Sequence, residues 1–278
     1  MKDLRSLDSD IMIGLTIAGF DPSGGAGILE DVKTMASFGL HPCAVVTSLT
    51  AQNPKKVFSV EPVRAEYISK QIDSIFDDYD VKYAKTGLLY SKEIIQLISR
   101  KVDEYDLKIV VDPVMVASAG DSLAKEKTAD SMKKYLLEKS LLVTPNVSEA
   151  EKLSGMKIET EEDAVEAAFK IGRYCSVIIT GGHLNGTNVI YNKQMDELTT
   201  IHQDLIESDN VHGTGCSFSA AVTANLVRLN NKQKIADGSS QNNLELSIQN
   251  SLKFVYESVK NGRYGTLNPN FNSKPFII

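Results

Sequence analysis

Cysteine is scarce in this chain: three in 278 residues, at Cys43, Cys175 and Cys216. So odd and widely spaced a set supports neither a disulfide framework nor a zinc site. Long apolar runs are also missing. The longest are strand-length, well short of the ~20 residues a membrane-spanning helix needs. Nor is positive charge in excess: 30 Lys and Arg stand against 36 Asp and Glu, a net charge of −6. Binding nucleic acid by charge needs clustered cations, and pairs such as Lys55-Lys56 and Lys133-Lys134 read as solvated surface. The opening MKDLRSLDSD has no apolar core and no small-residue cleavage site, so no secretory leader is expected. These absences point to the cytosol, without nucleic-acid or membrane partners.

What the chain does have is an alternation. A hydrophobic content of 42% supports a substantial core, and short β-branched runs recur between amphipathic stretches. Strands are predicted at 11–18, 44–49, 82–85, 108–112, 141–144 and 176–180. Helices are predicted at 26–38, 65–76, 92–102, 123–137, 148–153 and 162–172. That order argues for βαβ units, hence an α/β fold whose central, mostly parallel sheet has helices on both faces. Runs at 187–191 and 197–202 are close enough to pair as a hairpin, a small antiparallel edge. Helical stretches at 215–229 and 244–259 close the pattern around a polar surface loop at 230–243. With no repeat and no linker, residues 1–278 read as one domain with a polar N-terminal extension at 1–10.

In open α/β sheets, ligands bind beyond the carboxyl ends of the strands. AGFDPSGGAG (18–27) follows the first strand and opens the first helix. Its glycines let the backbone approach a ligand and Asp21 offers a carboxylate, although a plain strand-to-helix turn has the same composition. TSLTAQN (47–53) reads as the loop after the second strand, where Gln52 carries both a donor and an acceptor for the edge of a heterocycle. KTGLL (85–89) says little by itself. Asp112 ends an apolar strand, where an acid is costly unless paired, hydrogen-bonded or metal-linked. In TPNVSEA (144–150), Asn146 and Glu149 suit either a hydrated magnesium ion or a helix capping box, and the sequence does not choose. VHGTGCSFSAA (211–221) contains Gly213 and Gly215, which permit a turn gathering free N–H groups at a helix N-terminus. That is an anion site, with Cys216 beside it.

In their order, TIAGFDPSGGAGILEDVKT, TSLTAQN, DPVMVASAGDSL, TPNVSEA, TGGH and HGTGCSFSAA resemble the ribokinase-like superfamily. Within it, they resemble the hydroxymethylpyrimidine and phosphomethylpyrimidine kinases of thiamine biosynthesis, over about residues 11–265. The resemblance implies a ribokinase-like fold and a kinase using ATP and Mg2+. Its acceptor would be 4-amino-5-hydroxymethyl-2-methylpyrimidine and then the monophosphate of that alcohol, giving the diphosphate. By position, Gly19, Asp21, Ala26, Asp31, Gln52, Leu88 and Val114 match the pyrimidine pocket. Asp112, Asn146 and Glu149 match magnesium-associated positions, and Thr180, Gly182, His183 and His212 lie on the nucleotide side. Gly213, Thr214, Gly215 and Cys216 match the catalytic anion hole. A homodimer is also implied. The chain departs from the pattern at Phe20, where a small Ser or Thr is usual, and at Leu88, often Met. The ending NGRYGTLNP only approximates a glycine- and histidine-rich one, and the 230–243 loop is longer than usual.

Many sugar kinases of the superfamily have Asp where this chain has Cys216, so a sugar acceptor is disfavoured. An aspartate would repel an acceptor that is itself a phosphate. A cysteine is either a thiolate, its pKa lowered from about 8.5 by the helix N-terminus, or neutral. Cys216 therefore reads as the residue that permits both acceptors, against the plainer reading of a small cysteine packing a helix start. Two other functions compete. One is a pyridoxal kinase of the same superfamily. The other is a catalytically silent pyrimidine sensor, whose mark would be loss of N-x-x-E or of the anion-hole glycines; both are present.

Overall fold

The computed structural model describes residues 11–115, 127–182, 184–236, 243–270 and 272. Its nine-stranded sheet has the order β3-β2-β1-β4-β5-β6-β7-β8-β9. The strands are β1 (Ile13–Phe20), β2 (His41–Asn53), β3 (Lys56–Pro62), β4 (Tyr83–Thr86), β5 (Lys108–Val111), β6 (Ser140–Val143), β7 (Ser176–Ile179), β8 (Thr187–Asn192) and β9 (Glu197–His202). From β2 to β7 neighbouring strands run parallel, and β3, β8 and β9 are antiparallel.

The connecting helices are α1 (Gly27–Ser37), α2 (Ala65–Phe76), α3 (Lys92–Glu104), α4 (Thr128–Tyr135), α5 (Val147–Ser154) and α6 (Glu161–Gly172). The chain then adds α7 (Thr214–Ala236) and α8 (Asn243–Lys260). Successive side chains of a strand face opposite ways, so an apolar run feeds two cores. Ile109 and Val111 of β5 join the core under α2–α6, whereas Val110 joins the one under α7 and α8. Val177 and Ile179 divide from Ile178 in the same manner. Each such fully buried Val or Ile contributes about 1.5–3 kcal/mol. On the second face α1 packs against α7 through Met35, Ala220 and Ala224, with Thr34 Oγ1 2.9 Å from Ser217 Oγ.

The sheet, its two helical faces and the β8–β9 edge match the sequence reading; three local expectations do not. TSLTAQN is not a loop: β2 runs on through Gln52 to Asn53 and turns back as β3, so the sheet has an antiparallel pair at both ends. Asn53 Oδ1 accepts from Lys55 N at 2.9 Å and Lys56 N at 3.1 Å, which fixes that turn. Residues 230–236 continue α7 instead of opening a loop, because lysine, glutamine and alanine are good helix formers that extend a helix already seeded by its apolar first half. The helix expected at 123–137 is described as the shorter α4 followed by a 3-10 turn, Leu137–Lys139. Residues 1–10, 116–126 and 237–242 lie outside the described residues.

Candidate active site

One cleft of about 530 Å³ opens over the carboxyl ends of the parallel strands, a volume suited to small ligands. Sheet order gives it two ends. Toward β2 it is lined by Gly19, Gln52, Gly87 and Leu88, and toward β7 by Thr144, Asn146, Glu149, Thr180 and Gly182. Asp112 and Val114, after β5, lie between.

The turn before α7 interlocks with the β1–α1 loop. Gly213 has φ of +90°, and a Cβ there would stand 1.8 Å from Gly25 O, so no larger residue fits. Gly27 (φ +57°) is equally constrained, a Cβ meeting Gly19 O at 2.3 Å. Gly27 and Cys216 line the cleft together and the Gly27 N–H lowers the thiol's pKa, so the N-termini of α1 and α7 meet at Cys216. Cys216 is half-buried and lines the cleft. Burial pushes its pKa up, Lys85 pulls down less, and Asp112 and Asp31 push up again. The thiolate expected at this helix start is therefore disfavoured, since desolvation outweighs the helix terminus.

Beneath the cleft lies a cluster around Lys85, whose side chain is wholly buried. Its Nζ donates to Asp31 Oδ1 at 2.9 Å and Asp112 Oδ2 at 3.4 Å. Thr16 Oγ1 donates to the other Asp31 oxygen at 2.6 Å, and Ser219 Oγ to Asp112 Oδ2 at 3.0 Å. Burial by itself would make Lys85 shed its proton, but the charges of Asp31 and Asp112 outweigh it and hold its pKa above that of ordinary lysine.

Asn146 caps α5 in a complete capping box. Its Oδ1 accepts from Glu149 N at 3.0 Å, and its own N–H donates to Glu149 Oε2 at 3.1 Å. Burial, then the charge of Asp112, pushes the Glu149 carboxyl up to about 8, against backbone N–H bonds from Asn146 and Met115. A buried carboxyl whose ionisation a neighbouring carboxylate disfavours fits a cation between the two. Among the described residues no trio of His, Cys, Asp or Glu is arranged to hold a metal unaided. Asp112 and Glu149 match the donor chemistry of Mg2+, which binds through one or two carboxylates and takes its remaining ligands from water and phosphate.

The expected site residues now have places. Gly19, Ala26, Gln52, Leu88, Val114, Asp112, Asn146, Glu149, Thr180, Gly182, His212 and the run Gly213–Cys216 all line the cleft. Asp21 and Asp31 do not. Asp21 turns inward to accept from Ser23 N at 2.8 Å, Ser23 Oγ at 2.9 Å and His212 Nε2 at 2.8 Å. Burial alone would raise its pKa, and these bonds leave it lowered instead. Asp31 is wholly buried with Lys85. His212 is likewise engaged with the β1–α1 loop, and His183 lies outside the described residues. Lys85, Thr16 and Ser219 went unrecognised in the sequence. A lysine closing an apolar strand carries the same signal as Asp112, so Lys85 was open to the same reasoning.

The family model for phosphomethylpyrimidine kinase matches residues 21–264. The chain belongs to that family. A hydroxymethylpyrimidine/phosphomethylpyrimidine kinase from Rhizobium meliloti is 40% identical over 78% of this chain and 83% of its own. One from Bacillus subtilis is 36% identical over 89% of each. Among solved structures, an ADP complex of Bacillus subtilis pyridoxal kinase superposes with a TM-score of 0.76 at 31% identity, covering 90% of this chain and 92% of that one. Membership of the phosphomethylpyrimidine kinase family makes this chain a phosphotransferase with the ribokinase-like α/β fold. Among the described residues no helix is long and apolar enough to cross a membrane.

Proposed function

We propose that this chain transfers the γ-phosphoryl group of ATP, with Mg2+, to 4-amino-5-hydroxymethyl-2-methylpyrimidine and then to the resulting monophosphate. In each round the acceptor oxygen bonds to the γ-phosphorus, the bond to the β–γ bridging oxygen breaks, and ADP leaves; in the first the alcohol also loses its proton. The observation that carries this reading is the division of the cleft. Gln52 and Gly19 lie toward β2, Asn146, Glu149 and Thr180 toward β7, and the converging helix N-termini meet at Cys216. The Gln52 amide suits a ring edge presenting both donors and acceptors. The Thr214 N–H is spent on Val211 O at 3.2 Å, and the remaining N–H groups of the Gly213–Cys216 turn suit the charge on a moving phosphoryl group. Asp112, Asn146 and Glu149 are the residues to hold Mg2+, which when bound neutralises phosphate charge.

The raised Cys216 pKa favours a neutral thiol in both rounds. A loose phosphoryl-transfer transition state asks little of a base, whereas an aspartate facing the phosphate acceptor would oppose it by a few kcal/mol. Cys216→Asp is therefore expected to keep alcohol phosphorylation better than monophosphate phosphorylation, and equal retention of the two contradicts this role. Pyridoxal is the rival acceptor, favoured by the likeness to the solved pyridoxal kinase. Comparing kcat/KM for the pyrimidine alcohol and pyridoxal decides between them; a higher value for pyridoxal overturns the pyrimidine reading. A homodimer belongs to the same reading. The exposed Leu49 and Phe58 on β2 and β3 supply apolar surface for it, and light scattering measures it.

A further inference from the structure

Lys85 places a charge inside the central sheet. It stands in β4 with its side chain fully buried, where an apolar residue would pack at less cost in desolvation. Neutralising Asp31 does not account for it, because a buried ion pair is commonly replaceable by an apolar one. Its other surroundings point to the cleft. Nζ lies 3.4 Å from Asp112 Oδ2, the oxygen that Ser219 also bonds at 3.0 Å. A Cβ on the cleft-lining Gly87 would stand 3.5 Å from Nζ, so the ammonium sits directly under a stretch of floor that has no side chain. Ser219 ties the Asp112 carboxylate to the turn of α7 that carries Cys216, its Oγ also donating to Cys216 O at 3.0 Å.

We infer that Lys85 is a positioning residue for phosphoryl transfer: held by Asp31, which Thr16 fixes in turn, its ammonium fixes the Asp112 carboxylate on the cleft floor and places a positive charge beneath Gly87, in the cleft that Cys216 also lines. On this account Asp31 anchors a lysine and does not touch the substrate. The role rests on the kinase reading above.

The test compares wild type, Lys85→Met and the charge-compensated Lys85→Met/Asp31→Asn. Urea unfolding reports folding, steady-state kinetics with the pyrimidine alcohol report the reaction, and alkylation of Cys216 by iodoacetamide without substrate reports the local field. Lys85→Met leaves Asp31 unpaired in the interior, so the double variant is the decisive one. It is expected to fold, with kcat lower by about 100-fold, KM for the alcohol changed less than about threefold, and Cys216 alkylated at least about threefold more slowly. A folded double variant with kcat and alkylation near wild type overturns the inference, because Lys85 then serves only to neutralise Asp31. A double variant that fails to fold also overturns it, assigning Lys85 to folding. Absence of turnover by wild type would defeat the kinase reading instead, and the alkylation comparison would still test the placement of the charge.

Discussion

Two helices of this protein begin with the same device. At α5, Asn146 and Glu149 exchange bonds of 3.0 and 3.1 Å; at α6, Thr160 and Asp163 exchange bonds of 3.2 and 3.0 Å. Both are complete capping boxes, nearly identical in local geometry. Their electrostatics are opposite. The Asp163 carboxyl faces solvent and is held below its ordinary pKa by N–H bonds from Glu159 and Thr160. Glu149 is buried beside Asp112 and is pushed up to about 8. The α6 box does what a cap does and no more. The α5 box also places a carboxyl at the cleft end of β6, where burial and Asp112 disfavour its ionisation and where the proposed function has it meet Mg2+. A local motif therefore specifies a helix start, and only its neighbours in space decide whether it carries chemistry.

The comparison breaks most sharply at Glu149. Glu149→Gln preserves size and the acceptor of the cap but removes the charge. It is expected to lower kcat/KM by about 10²–10³-fold without lowering the midpoint of urea unfolding. A large loss of stability with activity intact would return the α5 box to a purely structural role. Thr160→Ala should do the reverse, costing about 1 kcal/mol in urea unfolding with kcat and KM unchanged.

The smallest effect is on the pH dependence of stability without Mg2+. Glu149 binds its proton more tightly folded than unfolded, so its contribution falls as pH rises from the ordinary carboxylate range toward about 8. Asp163 is the opposite case: its stabilisation is present above the unfolded pKa and is lost as pH falls through the folded one. Unfolding midpoints across pH in wild type, Glu149→Gln and Asp163→Asn should show the first variant flattening the neutral limb and the second the acid limb. Slopes unchanged in either variant would refute the corresponding assignment.

The two boxes also show what can be read from a sequence. Both signatures are visible along the chain, yet the proximity of Asp112 to Glu149 depends on β5 and β6 lying side by side, which no local spacing reveals. The parallel strands are legible because they are buried on both faces and read as unbroken apolar runs. The β3 strand is not, since none of its residues is buried and no apolar stripe marks it. Gln52 is recognisable by its side chain although its strand reads as a loop in the sequence. Asp21 and Asp31 stand away from the cleft lining for a different reason. Carboxylates near a glycine-rich turn suggest a ligand, and here their partners are Ser23, His212, Thr16 and Lys85.

The most direct test is a phosphorus NMR time course with the pyrimidine alcohol, ATP and Mg2+, run in parallel on wild type, Glu149→Gln and Thr160→Ala. Wild type and Thr160→Ala are predicted to build up the monophosphate and then convert it to the diphosphate at matching rates, while Glu149→Gln leaves the ATP largely unconsumed. No diphosphate from wild type, or equal rates in all three, would contradict the account.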